Sequence, residues 1–312
     1  MTAATAIPAG LPRPAPRRGR GRAGRWDRSA LLFVAPAVIF AVTFLIVPMI
    51  GAFVYSGAKI APLSGQLNWV GLANYQVMFS DPVFYRSLVN TALFILTTVP
   101  LSMIIGLALA VLMNSVLPAR RIVRTAIYLP LVISGVAVGL IGTFMYNETV
   151  GVINNLLDNI GLPGVAWQSG GATAFVSLIL VTLWIRVGFT MIIYLAGLQG
   201  VPVELQEAVQ VEGANGWQRF RFITVPLLGP ATFFLLVMNV IYSFQVFDTV
   251  YVLTNGGPGS ATEVLGTYAY KTAFGPARDQ GYGAAIGVVI FLLTLAFTIL
   301  QWRTNRTRDE VA

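Results

Sequence analysis

Six apolar stretches divide this chain, and each is long enough to cross a bilayer, which takes about 20 residues. They run from Ala30 to Val54, Leu88 to Met113, Ile122 to Tyr146, Thr173 to Leu198, Pro226 to Leu253 and Tyr282 to Trp302. Only 10% of the 312 residues are charged while 56% are hydrophobic. A soluble domain of this length carries about a quarter charged residues. The excess apolar surface needs lipid as its solvent, so the expected fold class is an all-α integral membrane protein with six transmembrane helices. Prolines at 36, 48, 100, 130 and 230 lie in or near the spans. Helix-breaking prolines are tolerated there because neighbouring elements satisfy the freed backbone groups, and they predict kinked or broken helices.

The residue inventory excludes much chemistry. The chain has neither cysteine nor histidine, which removes disulfides, thiolate metal sites and most nucleophilic and acid–base catalysis. Its two lysines, Lys59 and Lys271, lie in no phosphate-binding loop. An ATPase centre of its own is therefore not expected, nor any enzyme activity, nor a catalytic or metal-binding residue.

The charges set an expected orientation. Residues 1–29 form an Arg-, Pro- and Gly-rich tail that cannot bury enough apolar surface to fold alone. The apolar run behind it is too long for a cleaved signal and shows no small-residue cleavage site, so it is read as a retained first span. If the chain alternates sides, 15 basic residues fall with the two termini and four on the other side, with Arg186 inside span four. That asymmetry predicts six spans with both termini in the cytoplasm. It also accounts for the net charge of +8 without nucleic acid, and the tail needs only anionic membrane lipid as its partner. Residues 30–303 form the expected membrane domain, followed by a short cytoplasmic tail, 304–312. The first outward loop reads as an amphipathic segment at the interface, carrying Trp69, Tyr75, Phe79 and Phe84.

One polar stretch interrupts this pattern. Between spans four and five, "ELQEAVQVEGANGWQRFRFITVPLLGP" holds three carboxylates and two arginines. Pro202 suits the first turn of a helix, and Glu204 and Glu207 suit its positive end. Gly213 permits a backbone reversal or the close approach of a partner. A second short helix over "ANGWQRFRFI" is expected next. On these residues alone, an amphipathic hairpin resting on lipid and a docking element for a soluble partner both remain open.

The segment "EAVQVEGANGWQRFRFITVP" resembles the EAA loop of ABC importer permeases, whose pattern is E-A-A, three residues, Gly, nine residues, then I-x-L-P. Glu207, Ala208, Gly213, Ile223 and Pro226 fall at the matching positions, with Val209, Glu212 and Val225 as conservative departures. The stretches "NTALFILTTVPLSMIIGLALAVLMN", "RTAIYLPLVISGVAVGLIGTFMYN" and "WIRVGFTMIIYLAGLQGVPVELQEA" are similar to the family's second, third and fourth spans. "FQVFDTVYVLTNGGPGSATEVLGTYAYKTAF" looks like the first permease of the carbohydrate-uptake pair, of the maltose or glycerol-3-phosphate type. The turn residues Asn255, Gly256, Gly257 and Pro258 end span five.

The resemblance implies a type I ABC importer permease fold and a set of partners. These are a second permease making a heterodimer, a dimer of ATPase subunits, and an extracytoplasmic solute-binding protein. The substrate would be a sugar or sugar-like polyol, crossing the cytoplasmic membrane of a bacterium. ATP and Mg would be used by the partner ATPase, with no cofactor bound by this chain. Within the coupling loop, 202–226, the resemblance assigns ATPase contact to Glu207, Ala208, Glu212, Gly213, Phe220 and Pro226. It maps the substrate pathway to Thr182, Arg186 and Phe189 in span four and to Asn239, Tyr242, Ser243 and Val246 in span five.

Arg186 carries two readings. Its forked guanidinium suits a phosphate or carboxylate, which favours glycerol-3-phosphate or a glycerophosphodiester. A structural ion pair, with Asp248 or with the other permease, favours a neutral oligosaccharide. Two further classes compete with the importer: a stand-alone secondary carrier driven by an ion gradient, and a membrane-anchored interaction protein acting through the basic tail.

Overall fold

The computed structural model describes residues 28–61, 65–115, 119–276 and 278–309. The arginines between 13 and 25, and with them nearly all of the expected disordered tail, lie outside the described residues. The chain divides into two units at Met49–Ile50.

The first described element is α1 (Arg28–Ala41), which passes through a π-helical turn (Val42–Ile46) into α2 (Val47–Ser56). It supplies one span, Leu32–Ser56. The loop read as a single amphipathic segment folds instead as a two-stranded antiparallel hairpin, β1 (Ala58–Ile60) with β2 (Leu67–Trp69), followed by α3 (Ala73–Met78). The strands are only three residues long and owe their place to tertiary contacts. Asn74 donates from Nδ2 to the carbonyls of Ser56 and Ala58 at 2.9 and 3.0 Å, which ties α3 to the start of the hairpin.

Helix α4 (Pro82–Asn114) begins six residues before the expected Leu88. The reason is local. Asp81 caps the helix by accepting from the Val83 amide at 2.8 Å, and Pro82 occupies the first turn, where its missing N–H costs nothing.

Span three departs most from expectation. α5 (Arg120–Val132) and α6 (Gly135–Met145) meet at a bend of 105°. Ser134 lies in extended backbone and caps α6 by accepting from the Ala137 amide at its Oγ, so a new helix starts just past Pro130, a sharper break than a proline kink. α7 (Val152–Asn159) follows, and then α8 (Gly171–Gln199), an unbroken span.

Beyond α8 come α9 (Val203–Val211), α10 (Gly216–Arg219), a π-helical turn (Phe220–Thr224), α11 (Val225–Leu227) and α12 (Gly229–Phe244). The α10–α11 segment and α12 are bent by 64°. Span five also ends sooner than the sequence suggests. Helix α12 stops at Phe244, the chain leaves helical geometry at Val246 and Phe247, and α13 (Asp248–Leu253) restarts it. α14 (Leu265–Phe274) and α15 (Gln280–Asp309) complete the chain. The described residues thus hold four long apolar helices, and six spans if each bent pair counts as one.

The core of the second unit sits between α4, α6, α8 and α13, where Phe94, Val138, Leu178, Val181, Val250 and Leu253 are buried together. Nearer the end of α4, Ala110, Met113, Met191, Leu195 and Leu235 form a second cluster that joins α4, α8 and α12. Glycines set these contacts. A Cβ on Gly188 would meet the Ile127 carbonyl oxygen of α5 at 2.5 Å, and one on Gly139 would meet Val252 of α13 at 2.8 Å. Helices pack this closely in membranes where small residues let backbones approach.

Candidate functional site

Two places on the chain gather charge and polarity: the exposed, interrupted hairpin of α9 and α10, and the buried interior face shared by α4, α8 and α12.

The hairpin is built from a reversal at Gly213. Its φ of +87° is a left-handed conformation that favours glycine, and nothing lies within 4 Å of where a Cβ would stand. Pro202 is the residue before α9 rather than inside it. The next helix starts with a reciprocal cap: Asn215 Oδ1 accepts from the Gln218 amide and Gln218 Oε1 accepts from the Asn215 amide, at 2.9 and 2.8 Å. Arg219 donates to Gln210 Oε1 at 3.1 Å, closing α10 back onto α9. Glu207 and Ala208 are exposed on α9, Glu212 is exposed at its C-cap, and Pro226 is exposed in α11. Phe220 is half-buried, its ring 5.6 Å from that of Trp217. Glu212, Gly213, Ala214, Gln218 and Phe222 line a shallow cleft of about 300 Å³. The hairpin also leaves Val211, Trp217 and Phe222 open, at 89%, 69% and 70% exposure.

The second place is a buried polar core. Arg186 stands midway along α8. Its guanidinium donates to Ser243 Oγ on α12, and lies 3.5 Å from both Thr98 Oγ1 on α4 and the Asn239 carbonyl oxygen. The Phe94 ring centroid is 5.6 Å away, giving the cation an aromatic face. Asn239 in turn accepts from Ser102 Oγ at 3.4 Å and donates from Nδ2 to the Leu235 carbonyl at 2.9 Å. These groups are buried.

The expected ion pair with Asp248 does not form. Asp248 lies beyond the helix break, exposed, with its carboxylate beside Gly135 at the start of α6. The positive charge is held instead by hydroxyls, a carbonyl and the negative end of α12, which stops at Phe244.

The seven pathway positions therefore separate into two groups. Thr182 faces its own helix, donating to the Leu178 carbonyl at 2.8 Å, and is buried with Arg186, Asn239 and Ser243. Tyr242 is exposed, and its ring lies edge-on to that of Phe189 at 6.4 Å. Val246 is half-buried at the break, and its carbonyl oxygen would lie 2.9 Å from a Cβ on Gly266. Sequence reasoning missed Thr98, Ser102 and Phe94. The signal was present in "TTVPLS", where Thr98 and Ser102 stand four apart on one helical face.

A third cluster fixes the end of the bundle where α4 begins. Tyr268 and Tyr282 both donate to Asp81 Oδ2, the latter at 2.6 Å. Burial raises the Asp81 carboxyl, but these two hydroxyls and the Val83 and Phe84 amides outweigh it, leaving it below the ordinary aspartate range. Burial and the Asp81 charge push the Tyr268 phenol up to about 12. Close by, Lys271 pairs with Glu263 at 2.6 Å, and Asn90 on α4 donates to the Ser260 and Glu263 carbonyls at 3.0 and 2.9 Å. Gly256 lies with φ +73° in the loop after α13, so tightly that a Cβ would reach the Glu263 carboxylate at 2.1 Å.

Comparison with known proteins agrees with this arrangement. Residues 98–307 match the model of the "binding-protein-dependent transport system inner membrane component" family. The chain is 37% identical over 284 residues to the "probable ABC transporter permease protein YurN" of Bacillus subtilis (strain 168), covering 89% of this chain and 96% of that one. It is 35% identical over 282 residues to the "sulfoquinovosyl glycerol transport system permease protein SmoG" of Agrobacterium fabrum, covering 90% and 91%. Among solved structures it resembles a chain from a bacterial alginate ABC transporter in complex with its alginate pentasaccharide-bound periplasmic protein. That match has a TM-score of 0.80 at 26% identity, over 90% of this chain and 95% of the other. The chain has the type I ABC importer permease fold and belongs to the family of binding-protein-dependent transport system inner membrane components, making it a multi-pass transport subunit rather than an enzyme.

Proposed function

We propose that the chain is one permease of a heterodimeric ABC importer that carries a sugar or sugar-like polyol across the cytoplasmic membrane of a bacterium. Both termini and the α9–α10 hairpin lie in the cytoplasm. The observation that carries this reading is the hairpin: a capped, glycine-hinged element that exposes Trp217, Phe222 and Val211 beside Glu207 and Glu212. A lone surface hairpin gains little from such exposure, whereas a soluble ATPase subunit closing on ATP and Mg gives those groups a partner. Glu207 would pair with a basic group of that subunit, and Gly213 would let the two backbones approach. A solute-binding protein delivers the substrate on the opposite side.

Substrate chemistry follows from Arg186. Its guanidinium is buried among α4, α8 and α12 with Ser243 as its hydrogen-bond acceptor, so it is closed off from a phosphate by packing rather than neutralised. The exposed Tyr242 and half-buried Phe189 offer ring faces and a hydroxyl, which suit sugar rings. The substrates named for SmoG and for the alginate transporter are both sugars that carry acidic groups, which supports the carbohydrate class and leaves its charge open.

The test is ATP hydrolysis by the complex reconstituted with the permease, ATPase and binding protein encoded beside it. A panel of oligosaccharides and glycerol-3-phosphate is added, and the assay is repeated with Glu207→Lys. Stimulation by a sugar that is lost in the variant is expected. Uptake that follows an ion gradient without an ATPase would overturn the reading.

A further inference from the structure

An aromatic ladder lies outside the hairpin and the seven pathway positions. Phe247 and Tyr251 stack nearly parallel, with ring centroids 5.3 Å apart. Tyr270 stands edge-on to both, at 5.0 and 5.5 Å, and Phe274 continues the series at 5.4 Å. The spacing explains the order. Phe247 and Tyr251 are four apart where the chain re-enters α13, and Tyr270 and Phe274 are four apart on α14, so each pair shares one face. The two faces meet because Gly266 lets the start of α14 close on the Val246 carbonyl.

The ladder is not core. Tyr251, Tyr270 and Phe274 are exposed, Phe274 by 66%, while Val250 and Leu253 on the other side of α13 are buried. It begins at the break in span five, beside the α12 terminus that Arg186 holds, and ends at the last turn of α14, next to the cluster anchored on Asp81. Polar groups accompany it. The hydroxyls of Tyr251 and Tyr270, the Gln245 amide and the Asp248 carboxylate have no hydrogen-bond partner among the described residues, and all four residues are exposed.

Lipid does not suit this surface, because polar side chains at membrane depth turn toward protein or a water-filled path. A mixture of exposed aromatic surface on Tyr251, Tyr270 and Phe274 and free hydroxyl, amide and carboxylate groups suits one ligand chemistry. The C–H faces of sugar rings lie flat on aromatic rings, and their hydroxyls meet the polar rim. Ligand sites of this kind are mostly apolar and aromatic, with a few polar groups that fix orientation.

We propose that Phe247, Tyr251, Tyr270 and Phe274 form a sugar-stacking subsite between the outer mouth of the permease and the break in span five. This rests on the importer reading above and sharpens it. Four successive rings serve a chain of sugar units, so the substrate class is an oligosaccharide rather than a single polyol.

The absence of cysteine from the chain gives a direct test. Tyr251→Cys and Phe274→Cys are introduced separately into the reconstituted importer and treated with a membrane-impermeant thiol reagent, with and without maltotetraose, an alginate tetrasaccharide or glucose. Tyr251→Phe and Tyr251→Ala are compared in sugar-stimulated ATP hydrolysis. The expected result is labelling at both cysteines that one of the tetrasaccharides slows and glucose does not. Alongside it, Tyr251→Ala raises the half-saturating oligosaccharide concentration about tenfold while Tyr251→Phe stays within about threefold of the parent. Absence of labelling in complexes that assemble would make the ladder a contact with the second permease and overturn the proposal. Labelling that no sugar slows, with ATP hydrolysis still sugar-stimulated, would overturn the subsite and leave the importer reading standing. Absence of any sugar-stimulated hydrolysis by the parent would overturn both.

Discussion

Arg186 on α8 donates to Ser243 Oγ on α12, and makes no ion pair among the described residues. A cation enclosed without a carboxylate is tolerated here because Thr98, the Asn239 carbonyl, the Phe94 ring and the end of α12 share its charge. Arg186 is therefore a tie between three helices.

That role predicts a stability phenotype. Arg186→Lys keeps the charge but loses the fork, and is expected to cost about 1.5–3 kcal/mol, the worth of a hydrogen bond to a charged group. Thermal unfolding of the detergent-purified complex measures it. Sugar uptake per folded complex should survive. A variant of unchanged melting temperature that has lost transport would place Arg186 on the substrate instead.

Gly213→Ala should damage coupling more than folding. Its left-handed backbone costs a residue with a Cβ about 1–2 kcal/mol, and the hairpin has little packing with which to resist. Sugar-stimulated ATP hydrolysis is expected to fall while the permease still inserts and pairs. Full stimulation in the variant would show that the reversal at this position is dispensable.

Gly188→Ala tests the contact of α5 with α8. A methyl there meets the Ile127 carbonyl oxygen at 2.5 Å, so backbone must move, at a cost of about 1–3 kcal/mol. Reduced thermal stability relative to a control such as Gly216→Ala, where the space is open, is the expected outcome.

Asp81 gives a pH dependence of known sign. Its carboxyl titrates below the unfolded value near 3.8, so its contribution is present above that value and is lost as pH falls through the lower folded-state value. Asp81→Asn should lower the melting temperature at neutral pH. The gap between variant and parent should narrow below about pH 3.8. A constant gap across that range would mean that the two tyrosines do not respond to the charge.

Much of this architecture was legible because apolar length is a local property. Each of the six apolar stretches overlaps a helix or bent helix pair long and apolar enough to cross a bilayer, and the glycine-hinged hairpin falls where Pro202 and Gly213 place it. Two features were not legible, for different reasons. The break at Val246 and Phe247 depends on α14 closing against the Val246 carbonyl through Gly266, a contact between residues twenty apart in sequence. Arg186 invited pairing with the acid Asp248, but the helix ends between them. Asn239 and Ser243, four apart on α12, present the face that meets α8. Opposite charge was the wrong criterion; shared helical face was the right one.

The enclosed arginine also bears on how the chain is made. A cation at the centre of a span costs about 2.5–3.5 kcal/mol during insertion. Residues 171–199 are synthesised before 229–244, so α8 enters the bilayer with only Thr98 and the Phe94 ring of α4 available to its cation. Its main hydrogen-bond partner arrives with Ser243. A polypeptide cut short before Asn239 therefore carries that charge in lipid without the hydroxyl, carbonyl and helix end that hold it in the finished chain.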